Sequence, residues 1–424
     1  MKPYTLIGPF AQLATMAEMP LKGALKDEEM PLLKDAGLLL KGDKIEAIGN
    51  FEELKAQTNE LDVELVELDR DYVCVPGFVD AHTHICFGGS RANDYAMRNA
   101  GKSYLEIAKA GGGIWDSVKH TRQACLETLV AGIKQRATRH LQSGITTIEV
   151  KSGYGLSVAE ELKMLRAIKV ANVETEADLI PTCLAAHVLP KDFEGDHAAY
   201  LAEISTHLFP QLKAENLTSR IDAFIEEEAF SAEIVAPYFQ KAKELGFDLT
   251  VHADQFSTSG SEVAVNFGAL SADHLEASGE KEVAMLAKSE VIAMALPGAS
   301  IGLGCAFTPA RKVLDAGGCV AIASDWNPGS APMGDLLCQA AILGTFQKLS
   351  NAEVLAGITY RAAAALKLTN RGRLQKGYLA DFSLFPTANI NEILYQQGQL
   401  KPEMVWKAGR AVAKKQHTAS PSFF

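Results

Sequence analysis

Between residues 76 and 367 the apolar positions follow two alternating patterns. Short β-rich runs are separated by longer stretches in which apolar residues recur at helical spacing, such as SVAEELKMLRAIKVANV and VAPYFQKAKELG. The eight runs are GFVDAHTH, GITTIEVKSG, LIPTCLAAHV, IDAFIEE, FDLTVHAD, LSADHLE, VIAMALPG and CVAIASDWNP. Eight strands that alternate with helices predict an α/β fold of the (β/α)8 TIM-barrel type. A doubly wound sheet is the alternative, but no strand is followed by G-x-G-x-x-G.

The two ends of the chain have a different pattern, made of short strand-like runs broken by Gly, Pro and Asp. GLLLKGDKIEAIGNF is typical of a β-hairpin, and VELVELDRDYVCVPGF adds another strand. Near the C-terminus GRLQKGYLADFSLFP and PEMVWKAGRAV repeat this texture. We do not expect either end to form a core of its own. We therefore predict that residues 1–75 and 368–424 form one small composite β-sandwich domain, and that residues 76–367 form the barrel.

Polar residues lie at the carboxyl ends of these runs, where a parallel barrel places its functional side chains. The first run ends in His82 and His84, and residues two apart on a strand point to the same side. The fifth run ends in His252 and the eighth in Asp325. An H-x-H pair alone is a weak signal, but three imidazoles and one carboxylate at one barrel face suit a first-row metal ion and leave room for an activated water. Three further runs end in His187, in Glu226–Glu228, and in Asp273 and His274.

Composition limits the class of protein. The net charge of −11, with both signs intermixed along the chain, argues against nucleic acid or an anionic membrane surface as a partner. It leaves a small anionic substrate possible, because local charge in a cleft can oppose the overall sign. The seven cysteines are scattered and contain no C-x-x-C pair, as in reduced cytoplasmic proteins. Without a signal peptide pattern or an apolar segment of spanning length, we expect a soluble cytoplasmic protein.

Seven stretches of the barrel resemble the amidohydrolase superfamily, metal-dependent hydrolases with a (β/α)8 barrel and a small β-domain built from both chain ends. The stretches are HTHICFGGSRANDYAMRNAGKSYLEIAKAGGGI, EVKSGYGL, LAAHVLP, EEEAFS, HADQF, ADHLE and SDWNPGSAP. Within the superfamily they are similar to the ring-opening hydrolases of histidine degradation. The resemblance implies that metal-bound hydroxide attacks 4-imidazolone-5-propanoate, a small anionic substrate, and that the product is N-formimidoyl-L-glutamate.

The resemblance also implies roles for individual residues. One zinc or iron ion per subunit would be held by His82, His84, His252 and Asp325. The substrate would be contacted by Arg91, Tyr154, His187, Gln255, Asn327, Gly329 and Ser330. Catalysis would fall to Asp325, His274 and His187, with His187 or the metal stabilising the oxyanion. The sequence leaves open whether Asp325 or His274 is the working base and whether the metal is zinc or iron, and a homodimer is the default expectation.

The chemistry of the implied contact residues supports these roles. The guanidinium of Arg91 can bind the propanoate carboxylate with two hydrogen bonds, although a surface ion pair with Asp94 is the simpler interpretation from composition. Tyr154 lies between two glycines that free the backbone to present the phenol, although a turn aromatic that covers the barrel rim is the simpler interpretation. The Pro-Gly turn after Asp325 offers an amide, backbone N–H groups and a hydroxyl, more than a plain turn needs.

Gln255 and Lys151 bear on the type of reaction and on the number of metal ions. Cytosine-deaminase-like relatives carry a glutamate three residues after the histidine of the fifth strand, where this chain has Gln255, and an amide cannot transfer protons. Lys151 belongs to the second strand, whereas the carbamylated lysine of two-metal relatives lies on the fourth, so we expect one metal and an ion pair from Lys151 to Glu149 or a neighbouring strand. The alternatives are an aminohydrolase of a guanine- or cytosine-like ring, and a metal- or ligand-binding barrel without activity.

Overall fold

A computed structural model describes residues 3–227 and 229–414; Glu228 of the predicted acidic run and the last ten residues of the predicted composite domain lie outside the described residues. The strands are β1 (Tyr4–Phe10), β2 (Gln12–Ala14), β3 (Leu32–Leu33), β4 (Ala36–Lys41), β5 (Lys44–Asn50), β6 (Val63–Glu67), β7 (Val73–Pro76), β8 (Phe78–Asp80), β9 (Ile145–Lys151), β10 (Asp178–Ala186), β11 (Arg220–Phe224), β12 (Asp248–Ala253), β13 (Ser271–His274), β14 (Ile292–Ala295), β15 (Val320–Ile322), β16 (Phe382–Phe385), β17 (Met404–Lys407) and β18 (Arg410–Lys414).

The helices lie mainly between the strands of the middle region. They are α1 (Phe51–Gln57), α2 (Ala92–Asn99), α3 (Tyr104–Lys109), α4 (Ile114–Gln123), α5 (Leu126–Leu141), α6 (Val158–Val173), α7 (His197–His207), α8 (Phe209–Ala214), α9 (Ala232–Glu244), α10 (Gly260–Phe267), α11 (Glu280–Lys288), α12 (Pro297–Leu303), α13 (Ala310–Asp315), α14 (Leu336–Gln347), α15 (Asn351–Gly357), α16 (Tyr360–Ala365) and α17 (Asn391–Tyr395). Within the described ranges, no helix combines the length and the apolar character needed to cross a bilayer.

The eight predicted barrel strands are confirmed as one parallel sheet, β8 to β15, in chain order. The strands are buried on both faces because helices cover the outside, which explains their nearly continuous apolar sequence. The first and last strands meet beyond their ends, where the N–H of Asp325 donates to the carbonyl of His82 at 3.0 Å. The N–H of His84 likewise donates to the carbonyl of Trp326 at 2.9 Å, so the barrel closes at the level of the predicted metal ligands.

The two chain ends form two further sheets. The first, in the order β5-β4-β1-β6, comes from the N-terminal region alone. The second, in the order β18-β17-β16-β7-β2-β3, joins both ends through the antiparallel pairing of β16 with β7. Apolar side chains of both sheets share one core, formed in part by Ile7, Leu38, Cys74, Phe382 and Trp406. The pairing of β16 with β7 agrees with the predicted association of the two chain ends. The domain boundaries at 75/76 and 367/368 are still a prediction.

Candidate active site

Four buried side-chain atoms converge at the mouth of the barrel. The Nε2 atom of His84 lies 3.3 Å from the Nε2 atoms of His82 and His252. The Oδ1 atom of Asp325 lies 3.5 Å from Nε2 of His82 and 3.4 Å from Nε2 of His84. A tetrahedral ion with bonds of about 2.1 Å needs ligand atoms about 3.4 Å apart, which these distances match. The ligand atoms of His82, His84 and His252 all lie within 4.8 Å of one another and could hold a metal ion. Oδ1 of Asp325, which lies near two of them, has no hydrogen-bond partner among the described residues and is free to complete the set.

Backbone geometry at the strand ends aims these side chains inward. His82 and His84 follow β8 in a segment in which Thr83 pairs with Trp326, four residues beyond the end of β15. Both imidazoles point into the mouth of the barrel, where their Nε2 atoms lie 3.3 Å apart. Asp325 follows β15 with φ of 50°, and His274 ends β13 with φ of 86°. Non-glycine residues in this left-handed region are strained, and such strain is concentrated at functional sites.

Two carboxylates orient the imidazoles from behind. The Oδ2 atom of Asp273 lies 2.7 Å from Nδ1 of His82, and that of Asp222 lies 2.9 Å from Nδ1 of His252. Each contact places the proton on Nδ1 and leaves Nε2 free to bind a cation. Burial lowers the pKa of His252 to about 4, more than Asp222 raises it, and burial likewise lowers the pKa of His82 well below its usual value. These imidazoles are therefore neutral near pH 7, as metal ligands must be.

The sequence left the partners of Asp222 and Asp273 unassigned. Asp222 lies within β11, and an acidic residue in a buried barrel strand was the available signal. Lys151 is fully buried, with Nζ 2.8 Å from Oε1 of Glu149, 2.8 Å from Oδ2 of Asp222 and 3.8 Å from Oδ2 of Asp273. This confirms the expected ion pair of Lys151 and shows that one ammonium neutralises part of the charge of both orienting carboxylates.

His274 lies beside the four donor atoms, with its ring centroid 5.4 Å from that of His252. Burial by itself lowers the pKa of His274, but Glu276, with Oε1 3.5 Å from Nδ1, and the nearby Asp325 raise it more, so the net shift is upward. Burial raises the pKa of Asp325 to about 7 in the metal-free site. His274 and Asp325 are therefore a pair of groups able to exchange protons near neutral pH.

His187 and Tyr154 lie next to His84. The rings of His187 and His84 are stacked with centroids 5.7 Å apart, and the Tyr154 ring lies 6.0 Å from His84 and 5.5 Å from His187. Nδ1 of His187 donates to the carbonyl of Gly153 at 2.9 Å, and burial lowers the pKa of His187 to about 4. Nε2 of His187 is consequently an acceptor at neutral pH. Burial raises the pKa of the Tyr154 phenol, which stays protonated.

Arg91 lies over the turn that follows Asp325. Its Nη1 atom lies against the α-carbon of Gly329, where a methyl group would collide with it, and its Nε donates to Oδ2 of Asp94 at 2.8 Å. The expected surface pair with Asp94 therefore exists, but the guanidinium is largely buried and also faces the predicted contact residues. A cavity of about 540 Å³ opens beside it, lined in part by Arg91, Tyr95, Arg136, Asn327 and Ser330.

The amide of Asn327 is used within the protein. Its Nδ2 donates to Oδ2 of Asp325 at 2.9 Å and to Oγ of Ser330 at 2.9 Å, while its Oδ1 accepts the N–H groups of Gly329 and Ser330 at 2.7 and 2.8 Å. The side chain thus shapes the turn and holds the carboxylate, which sequence reasoning had not foreseen.

Gln255 lies half-buried in the loop after β12, three residues after His252. The carboxylate of Glu226 binds that loop through the N–H groups of Phe256 and Ser257, at 2.9 and 3.0 Å. Sequence analysis noted Glu226 only as part of an acidic run, because its partner lies 30 residues away in the chain.

Comparison with known proteins agrees with this geometry. The model of the amidohydrolase family matches residues 73–412. The chain is 38% identical to the imidazolonepropionase of Bdellovibrio bacteriovorus, over 92% of this chain and 91% of the relative, and 38% identical to that of Deinococcus deserti, over 96% and 99%.

Solved structures of similar fold are more distant in sequence. A zinc complex of atrazine chlorohydrolase from Arthrobacter aurescens has a TM-score of 0.71 at 16% identity, with 97% of this chain and 95% of that chain covered. A zinc-bound adenosine deaminase from Xanthomonas campestris has a TM-score of 0.70 at 17% identity, with 97% and 93% covered. These two support the fold alone. The family match and the similarity over nearly the full length of curated relatives show that the chain belongs to the amidohydrolase family and, within it, to the imidazolonepropionases.

Proposed function

We propose that this protein hydrolyses 4-imidazolone-5-propanoate to N-formimidoyl-L-glutamate. Water adds to the ring carbonyl carbon, the bond from that carbon to the ring nitrogen breaks, and the nitrogen takes up a proton as the carboxylate forms. The observation that carries the proposal is the convergence of His82, His84, His252 and Asp325, which supplies a hydrolytic metal centre in a chain whose curated relatives are named imidazolonepropionase.

We propose that the site holds one zinc or iron ion, because neutral imidazoles with a carboxylate suit both metals. A bound ion of this kind lowers the pKa of water and polarises a carbonyl. The chain's own contribution is three imidazoles whose ligand atoms lie within 4.8 Å of one another and a carboxylate oxygen within 3.5 Å of two of them.

The substrate carboxylate would bind at Arg91. Asp94 occupies Nε and fixes the plane of the guanidinium, which leaves the terminal nitrogens for an anion. Gly329 allows this guanidinium to lie close to the turn, so that the backbone of Ser330 and the Arg91 side chain face the same space. Tyr154 stays protonated and can donate to the substrate, and the Gln255 amide can hydrogen-bond to the ring.

His187 is better suited to accept a hydrogen bond than to stabilise an oxyanion. Its Nδ1 proton is committed to the carbonyl of Gly153, and its pKa of about 4 keeps Nε2 unprotonated at neutral pH. A neutral Nε2 can accept the N–H of the imidazolone ring, whereas an oxyanion needs a donor. We therefore assign His187 to substrate orientation.

Asp325 and His274 would move the proton. Asp325 accepts a proton from the attacking water, and Asn327 holds the second oxygen of the carboxylate in place. His274, whose pKa is raised by Glu276, can carry a proton near neutral pH and return it to the leaving nitrogen. In this proposal Asp325 is the base and His274 is the acid, whereas the sequence left open which of the two is the single working base.

The activity assay follows the loss of the ring chromophore when purified, metal-loaded protein meets freshly prepared substrate. We expect loss of the chromophore together with formation of N-formimidoyl-glutamate and no release of ammonia. Turnover of a guanine- or cytosine-like ring with ammonia release, in place of ring opening, would contradict the proposal. That the protein is a homodimer and that it lies in the cytoplasm are still predictions. Light scattering on the purified protein measures the oligomeric state.

A further inference from the structure

The loop Ser152–Leu156 connects β9 to α6 and carries Tyr154. Its backbone is bound from both sides by charged side chains that lie outside the predicted site. Glu161, in the first turn of α6, accepts the N–H groups of Gly155 and Leu156 at 2.8 Å each with Oε1, and that of Gly153 at 3.1 Å with Oε2. Glu161 is fully buried, so water does not compete for these bonds.

Arg122, on α4, binds the carbonyl groups of the same loop. Its Nε donates to the carbonyl of Gly155 at 2.7 Å, and its Nη2 donates to that of Leu156 at 3.2 Å. One carboxylate thus accepts three N–H groups and one guanidinium donates to two carbonyl groups within residues 153–156. We call this arrangement the loop clamp.

The loop needs such support because its backbone is unusual. Gly153 has φ of 108° and Leu156 has φ of 52°, both in the left-handed region. At Gly155 a β-carbon would come within 2.6 Å of the backbone of Glu160, so the loop lies directly on the start of α6. Left-handed Leu156 is strained and persists only where surrounding contacts fix it.

The clamp reaches the predicted substrate pocket through Gly153. The N–H of Gly153 donates to Glu161, and the carbonyl of Gly153 accepts the Nδ1 proton of His187. The next residue is Tyr154, whose ring lies 5.5 Å from that of His187. The position of Gly153 therefore affects both the tautomer of His187 and the position of the Tyr154 phenol.

We infer that Glu161, together with Arg122, is a positioning residue for substrate binding: it fixes the loop so that His187 presents an unprotonated Nε2 and Tyr154 presents its hydroxyl to the same ligand. Neither residue touches the donor atoms of the metal site. The simpler interpretation is that Glu161 only stabilises the turn before α6, in which case its loss lowers stability and nothing else. The inference rests on the proposed function for the identity of the ligand, but the tautomer of His187 can be measured without any substrate.

The informative substitution is Glu161→Gln. A glutamine oxygen can keep the bonds to Gly155 and Leu156, but its NH2 group then faces the N–H of Gly153 and repels it. This change acts on the N–H of Gly153, the residue whose carbonyl group accepts from His187. The matched control is Glu160→Gln, the neighbouring residue of the same helix, whose carboxylate pairs at the surface with Lys163.

Three measurements separate positioning from stability. Nitrogen-15 NMR of histidine-labelled protein, with His187→Gln used for assignment, should show the Nδ1–H tautomer of His187 in wild type and in Glu160→Gln, and a mixture in Glu161→Gln. With the substrate, KM should rise about tenfold in Glu161→Gln, which corresponds to the loss of about one hydrogen bond, with kcat changed less. Metal content should be that of wild type, because the donor atoms keep their supports.

The outcomes are distinct. An unchanged His187 tautomer and an unchanged KM in a folded Glu161→Gln protein would overturn the inference, even if its melting temperature falls. Inactive wild type would refute the proposed function, while the tautomer shift would still decide the role of Glu161. Should Glu161→Gln fail to fold, Arg122→Gln removes the opposite side of the clamp, and the same tautomer and KM changes are expected. Wild-type values in Arg122→Gln would then refute the clamp.

Discussion

The predicted metal ligands and the predicted substrate contacts are supported in different ways. His82, His84 and His252 lie on barrel strands or shortly after them, and side-chain carboxylates and one lysine support His82 and His252 from behind. Tyr154 and Gln255 lie on loops whose backbone N–H groups are bound by single buried carboxylates, Glu161 and Glu226.

The difference follows from what each group must do. Metal ligands need an exact angle and a fixed tautomer, and a charged contact to the second imidazole nitrogen provides both. Substrate contacts need a loop of a given shape, and loops lack the regular ladder that satisfies strand backbones. In these loops, buried carboxylates accept the backbone N–H groups that a neighbouring strand would otherwise bind. The two groups should therefore fail in different ways when they are altered.

The largest effect is expected at a strand position. His252→Ala removes one of the four donor atoms, so we expect loss of bound metal and a fall in kcat of roughly a thousandfold or more, since water activation is lost. Metal analysis and the chromophore assay measure both quantities on the same sample. His207→Ala, an exposed histidine at the end of α7, is the control. If His252→Ala were active without bound metal, His252 would not differ from the predicted substrate contacts in the way we propose.

A loop position should give a smaller effect of another kind. Arg91→Ala removes the charge that we assign to the propanoate carboxylate, and a charge-assisted hydrogen bond of about 1.5–3 kcal/mol corresponds to a rise in KM of roughly 10- to 150-fold. Metal content should not change. Arg166→Ala, which removes an exposed arginine paired with Glu215 on the outer surface, serves as the control. A wild-type KM in Arg91→Ala would show that the carboxylate binds elsewhere.

The smallest effect is a pH dependence that should appear in metal affinity. In the metal-free protein burial raises the pKa of Asp325 to about 7, so binding at lower pH must displace one proton from this carboxylate. Affinity should fall about tenfold per pH unit as pH decreases from 7 towards 5, and this dependence should vanish above pH 7. The pKa of about 4 for His252 adds a further loss only near that pH. Titration against a competing chelator measures the slope, and a flat profile between pH 5 and 8 would contradict it.

The sequence predicted the strand positions well because their signals are local. An apolar run that ends in histidine identifies the strand and predicts the ligand, and the spacing of His82 and His84 determines their common side. The partners of these ligands could not be read in the same way. That Asp222 contacts His252 depends on the register of β11 against β12, which the sequence of neither strand specifies alone.

The loop residues were harder to interpret for a related reason. Asn327 was expected to offer its amide to a ligand, but the amide is used by the turn and by Asp325, which only the folded conformation reveals. Glu161 follows Tyr154 by seven residues and was treated as an ordinary position of an amphipathic helix. Nothing in a helical pattern distinguishes a solvated glutamate from one that binds three backbone groups of the preceding loop.

The junction between the first and last barrel strands has a consequence for heat inactivation. The backbone groups that complete the ring of strands belong to His82, His84, Asp325 and Trp326, so separating these strands and dismantling the ligand set are one event. A cation that binds the predicted ligands only when these strands are joined should therefore raise the melting temperature as its concentration increases, by mass action.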